Sequence, residues 1–405
     1  MSKISPEKRR FFLAAMLLST LQMAMFAPQP GIQKITTEVF PDRTLADVQT
    51  AMMLPSISSL VCSILSSFLI SRRVLSKKGC VVLGTGLMGF VAVVAMVLHS
   101  SFWQLQLFSI LIGVGMGFLV APLSSVMFDQ FNETERRLSM GTQSAFINGG
   151  AIVLSVGGGL LTRFVWYGGY MMLLLAIPLV AVAAKFVPKD IEAEPAPADQ
   201  PKKKGARLRL PAAVFYYGLI AALNAVINNV CATNMSTHLD NAQLGDSATA
   251  GVATAIQMAG GVVMGLIFDK VSARLRDITI PLAFVFYALG YLLVSLGTAS
   301  LLLIFLGVFL AGMAMSLLVP QVLFSTSNCC SVENSAPAVA LVNSVMPGIG
   351  GYLSPVIFTN VTQALRPGST VFRFQFVAGV SLILGAVIFA VTVLRARKSA
   401  PRENA

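Results

Sequence analysis

The sequence predicts an all-α integral membrane protein: twelve transmembrane helices arranged as two six-helix bundles related by pseudo-two-fold symmetry. Three observations carry the expectation. Of the 405 residues, 56% are hydrophobic and only 11% charged, where soluble domains carry roughly a quarter. The apolar residues gather into runs of about 20, the length that crosses a hydrocarbon core of about 30 Å at 1.5 Å per residue. The runs are continuous in Leu, Val, Ala, Met and Gly instead of alternating, a poor fit to the strands of a membrane barrel.

In chain order the runs occupy 11–30, 48–71, 79–98, 102–127, 139–160 and 165–184, then 211–235, 247–268, 278–298, 300–324, 336–360 and 372–394. The first passes into Gln29-Pro30-Gly31 without a small-residue cleavage site, so it reads as a retained helix and not as a signal peptide. After the sixth run, DIEAEPAPADQPKKKGARLRL is charged and rich in Pro, Ala and Lys, the composition of a flexible linker. It divides the chain into an N-terminal six-helix bundle at 1–187, a cytoplasmic linker at 188–210, and a C-terminal six-helix bundle with a short basic tail at 211–405.

The formal net charge is +12, and its distribution explains it. With the N-terminus inside, 24 of the 29 Lys and Arg fall on inner segments; only Lys34, Arg43, Arg163, Arg366 and Arg373 fall outside. This is the positive-inside pattern, with both termini cytoplasmic and a bacterial inner membrane as the expected setting. The basic balance is therefore topology, and no nucleic-acid partner is expected. Cys62, Cys80 and Cys231 lie in apolar runs, and adjacent Cys329 and Cys330 lack metal-ligand spacing. No metal, no cofactor and no nucleophile–base pair of an enzyme is expected.

The halves repeat. SFLISRRVLSKK (67–78) lies over GLIFDKVSARLR (265–276) at an offset of 198, and Pro122 over Pro320 at the same offset. Gly89 and Gly290 follow at 201, then Ser144 with Ser344 and Gly150 with Gly350 at 200. Each half has an even number of spans, so the repeat is parallel. The charged run after the eighth span, Asp269 to Asp277, reads as an inner loop.

Twelve spans as six plus six, a central linker, and Gly265, Asp269, Lys270 and Arg274 in G-x-x-F-D-K-x-x-x-R resemble the major facilitator superfamily. The first copy departs from that signature, with Ser67 and Ser71 in place of Gly and Asp, although Arg72, Arg73, Lys77 and Lys78 keep the charge. The resemblance implies secondary transport of a small-molecule solute by two bundles rocking around a midplane site. It also implies a latch from Gly265, Asp269, Lys270, Arg274, Arg72 and Arg73, the glycine allowing two helices to approach closely. A monomer in the lipid bilayer is expected. Ser109 stands where proton-linked members carry Arg, four residues before Gly113-Val114-Gly115. On the fifth span Gly141, Gly150 and Gly158-Gly159 keep the spacing of drug antiporters, but Leu154-Ser155 replaces Gly-Pro. Packing and function are both open readings of those glycines.

Away from their ends the spans carry no Asp, Glu, Lys or His; His99 and His238 are expected in outer loops, and Arg373 at the outer end of the last span. A site for a coupling ion, H+ or Na+, is not visible, since buried ionisable groups are the usual relays. The polar groups that remain are neutral. Ser19, Gln22, Phe26 and Gln29 share a face of the first span, and Tyr217, Asn224, Asn228 and Cys231 a face of the seventh. Gln143, Asn148, Gln257, Asn343 and Ser344 complete the cavity candidates. Each amide reads either as pocket lining or as an interhelical hydrogen bond. A pocket of amides and aromatic rings suits an uncharged or amphipathic organic solute, with efflux as the first reading. The alternative is nutrient or metabolite uptake by symport or uniport; a lipid flippase and a transporter-like sensor are more distant readings, the sensor needing a signalling domain that the tails and linker are too short to supply.

Overall fold

The computed structural model describes residues 8–188, 210–275, 278–329 and 338–399. Among them every regular element is helical, and twelve helices are long and apolar enough to cross a membrane. They are α1 (Arg9–Val39), α2 (Leu45–Ser71), α3 (Lys77–Val97), α4 (Phe102–Gln130), α5 (Glu133–Phe164) and α6 (Gly168–Phe186), followed by α7 (Ala212–Asn241), α8 (Ser247–Leu275), α9 (Thr279–Ala299), α10 (Leu301–Asn328), α11 (Ala338–Leu365) and α12 (Thr370–Ser399). The chain forms two compact units, Met1–Leu210 and Pro211–Ala405. The linker expected at 188–210, its two ends apart, lies outside the described residues, as do Arg276 and Asp277.

In the first unit, α1 and α5 lie side by side and are held at four levels. At the N-terminal level Lys8 Nζ donates to Glu135 Oε2 at 2.9 Å. That carboxylate also caps α5 by accepting from the Asn132 backbone N–H, while Asn132 Oδ1 accepts from the Glu135 N–H. Higher up, Gly150 meets the backbone of Thr20 and Gly158 that of Ala27, so closely that a Cβ on either would lie within 2.2 Å of a carbonyl oxygen. At the far end Lys34 Nζ donates to the carbonyls of Thr162 and Arg163, oxygens the last turn of α5 leaves free.

These contacts accommodate a break in α1. Pro28 and Pro30 lack an N–H and clash with the carbonyl one turn back. The chain answers with 3₁₀ turns at Thr20–Phe26 and Gln29–Gly31, and Met23 leaves helical geometry at φ −112°, ψ 32°. The glycines read from sequence as either packing or motif, Gly150 and Gly158, are thus packing residues against this irregular segment.

The second unit repeats the arrangement with α7 and α11. Ala222 faces Gly350, where a Cβ would come within 2.3 Å of the Ala222 oxygen. One turn on, Ser354 Oγ donates to the Val226 carbonyl at 2.7 Å. Both pairs are 128 residues apart, so the two helices run parallel in constant register. Gly150 and Gly350, matched by sequence offset, hold matched positions in their units.

Two expectations need correction. The charged run after Phe268 is no loop: α8 continues as helix to Leu275. Lys, Ala, Arg and Leu are good helix formers, no Pro or Gly lies between Gly265 and Leu275, and a helix emerging from the membrane keeps its own hydrogen bonds in water. His238 lies in α7 instead of an outer loop, fully buried. Its Nε2 is 3.0 Å from the Val294 carbonyl and its Nδ1 2.9 Å from Thr370 Oγ1, so both ring nitrogens are satisfied inside the bundle.

Candidate functional site

The neutral polar residues expected on α7 and α8 meet. Asn228 Oδ1 accepts from Gln257 Nε2 at 3.0 Å. Tyr287 of α9 donates its hydroxyl to Asn224 Oδ1 at 2.8 Å and reaches Asn228 Oδ1 at 3.3 Å. Tyr291, one turn further, donates to the Ile227 carbonyl at 2.7 Å, and the two tyrosine rings stack with centroids 5.9 Å apart. All five side chains are buried, and Gln257 Oε1 accepts no hydrogen bond. The interhelical reading therefore applies to both asparagine oxygens. Tyr287 and Tyr291 were not among the expected residues. Their signal was there: two tyrosines four apart in a helix otherwise apolar, each with a hydroxyl that needs a partner when buried.

A second cluster sits at the start of α12. Arg373, read from sequence as an outer-end charge, is 1% exposed. It donates from Nη1 to Asn234 Oδ1 at 2.7 Å, from Nε to Thr362 Oγ1 at 2.9 Å and from Nη2 to Gln363 Oε1 at 3.3 Å. Among the described residues it pairs with no carboxylate. Its planar fork holds α7, α11 and α12 together through neutral acceptors. Asn234 and Thr362 keep the 128-residue register of the α7–α11 pair.

In the first unit the candidates are less connected. Gln22 is buried, with Nε2 3.4 Å from Ser19 Oγ. Phe26 and Gln143 are buried as well. Gln29 is buried at the break in α1, and both its side-chain polar atoms lack a hydrogen-bond partner. Asn148 is half-buried and donates to the carbonyl of Ser144, on its own helix. In the second unit Tyr217 is half-buried beside Tyr216, while Asn343 and Ser344 are exposed on a π-helical turn. These three do not join the Asn224–Asn228–Gln257 cluster.

The residues expected to form a latch lie at helix ends. Arg72, Lys270 and Arg274 are exposed, and Arg72 stacks over the Phe68 ring at 5.2 Å. Arg73 follows α2 with φ of 58°, in the left-handed region. The Asp269 side chain lies outside the described residues. Gly265 corrects an expectation: among the described residues a Cβ there would meet nothing within 4 Å, so this glycine mediates no close approach to another described helix. Sequence reasoning missed the ion pair between Lys77 at the start of α3 and Asp129 at the end of α4. The two residues are 52 apart in sequence, beyond any local pattern.

Residues 11–239, more than half of the chain, match the Major Facilitator Superfamily. The chain belongs to that superfamily. No curated protein matches it in sequence. Solved structures of the same fold include the POT family transporter PepTSo, similar at a TM-score of 0.74 and 12% identity over 96% of this chain and 99% of that one. A mutant of the nucleoside transporter NupG is similar at 0.75 and 13% identity, over 94% and 99%. A bacterial homolog of the human lysosomal transporter Spinster, inward-facing and unoccupied, gives 0.63 and 15% over 96% of each chain. At such identities the likeness extends to the fold alone. As a major facilitator superfamily member, the protein is a multi-pass membrane protein with a transporter fold.

Proposed function

We propose that this protein is a secondary transporter that moves a small, uncharged or amphipathic organic solute across the bacterial inner membrane by alternating access, in the direction of efflux. The carrying observation is the neutral amide-and-tyrosine cluster of Asn224, Asn228, Gln257 and Tyr287, in which Gln257 Oε1 is buried without a donor. Such a group suits a solute bearing a hydroxyl or amide donor better than an ion. Gln22, Gln29 and Gln143, buried and uncharged, support the same reading in the first unit. The placement of Lys and Arg supports cytoplasmic termini. For Asp269, with Lys270 and Arg274, we propose a gating role at the inner end of α8.

A solute-library screen in proteoliposomes, run in both directions with and without H+ and Na+ gradients, tests the proposal. A neutral or amphipathic solute should move outward, and Asn224→Leu with Asn228→Leu should weaken its apparent affinity while the protein stays folded. Wild-type affinity in that double variant removes the amides from the site. Inward-only movement supports uptake, the reading that Leu154-Ser155 in place of Gly-Pro favours. Asp269→Asn should change the transport rate more than the affinity.

A further inference from the structure

Between α1 and α6 the first unit carries a groove of about 400 Å³ lined by Arg10, Leu13, Ala14 and Leu17 on one side and Val182, Lys185 and Phe186 on the other. Its walls are apolar and open: Leu13 is 45% and Leu17 44% exposed. The first residues of a first span and the last of a sixth lie on the same side of a membrane. Arg10 and Lys185 therefore stand together at one end of the groove, both exposed. Neither pairs with a carboxylate among the described residues, whereas Lys8 and Lys77 on the same rim both do.

Beyond Leu17 lies a second apolar groove of about 410 Å³, lined by Thr20 and Leu21 of α1, by Phe146, Val153 and Leu154 of α5 and by Leu175 of α6. From Arg10 to Leu21 the helix rises about 16 Å, close to half of a hydrocarbon core of about 30 Å. Two apolar grooves in succession over about one leaflet, with two cations at the mouth of the first, match one kind of molecule.

We propose that this groove is a specific binding site for an anionic phospholipid. One acyl chain lies along Leu13, Leu17 and Leu21, and the headgroup phosphate sits between Arg10 and Lys185. Lys185 sits over the Phe186 ring at 5.5 Å, a contact that leaves its charge uncompensated. The two cations, unpaired with any described carboxylate, supply the selectivity for a net-negative headgroup, and the groove supplies the depth that a free phosphate cannot use. The inference is independent of which solute the protein carries and in which direction.

Native mass spectrometry of the purified full-length protein tests it, with phosphatidylglycerol and phosphatidylcholine of identical acyl chains as probes. Phosphatidylglycerol should be retained about ten- to thirty-fold more strongly, the effect of two bases on one anionic headgroup. Arg10→Gln with Lys185→Gln should erase that preference and leave phosphatidylcholine binding unchanged. Arg43→Gln, a rim base on the opposite side, should preserve it. Leu17→Trp, which fills the groove, should reduce retention of both lipids even if the charge variant does not fold. Equal retention of the two lipids by the unaltered protein overturns the proposal. So does loss of the preference in Arg43→Gln, or displacement of phosphatidylglycerol by millimolar inorganic phosphate.

Discussion

The Tyr287 hydroxyl donates to Asn224 Oδ1 at 2.8 Å and lies 3.3 Å from Asn228 Oδ1, so one phenol serves both asparagines of α7. Tyr287→Phe removes that donor and nothing of the ring. Hydrogen bonds between membrane helices contribute up to about 2 kcal/mol, so the variant should lose up to that much stability, read as a lower melting temperature in detergent. If Tyr287→Phe instead leaves the melting temperature unchanged and alters solute affinity, the hydroxyl belongs to the solute and not to the bundle.

Two glycines of the second unit should respond in opposite ways. Gly350→Ala places a Cβ within 2.3 Å of the Ala222 oxygen, a backbone atom that cannot step aside. The variant should lose about 2 kcal/mol or more as α11 is pushed off α7. Gly265→Ala meets open space inside a helix and should stabilise α8 by up to about 1 kcal/mol. Melting curves of both variants decide the point, and a destabilised Gly265→Ala would contradict the geometry described here.

Arg373 and Lys77 separate two kinds of charge. Arg373→Leu strips the donors from Asn234 and Thr362 in a buried site and should cost about 3 kcal/mol or more. Arg373→Lys should recover only part, since an ammonium cannot span three acceptors on two helices. Neither effect should change with salt, because the partners are neutral. Lys77→Gln breaks a partly exposed pair with Asp129, worth at most about 1 kcal/mol and less at high salt. Thermal unfolding in low and high salt distinguishes them.

Glu135 does two jobs, accepting from Lys8 and from the Asn132 N–H that opens α5. Glu135→Gln keeps a cap and loses the ion pair; Lys8→Met loses only the pair. A double-mutant cycle should show coupling of about 1 kcal/mol between them, and additive single effects would assign Glu135 to capping alone.

The sequence made the twelve spans legible because a hydrocarbon core demands about 20 apolar residues in a row and tolerates little else. The offset of Gly150 and Gly350 was legible because close helix contacts in membranes need small residues. The ends of helices were not. Sequence reading stopped α8 where charge began and α7 before His238, since hydropathy marks where lipid ends, while a helix ends where its backbone loses partners. Within the candidate site, Asn224, Asn228 and Gln257 could be singled out as costly amides. That Tyr287 would satisfy two of them depends on how α9 packs on α7, which no single-helix periodicity records. Arg373 was visible as a charge, but its three neutral acceptors come from positions 10, 11 and 139 residues away.

The broken first span also bears on how the chain is made. Its prolines leave a helix that cannot satisfy its own backbone in lipid, and the surfaces that close around it are Gly150 and Gly158, with Lys34 reaching the end of the same helix. Those partners are synthesised more than a hundred residues later. The first segment to enter the membrane is therefore among the last to reach its final shape in its unit, and a chain truncated before α5 should expose that segment to quality-control proteases.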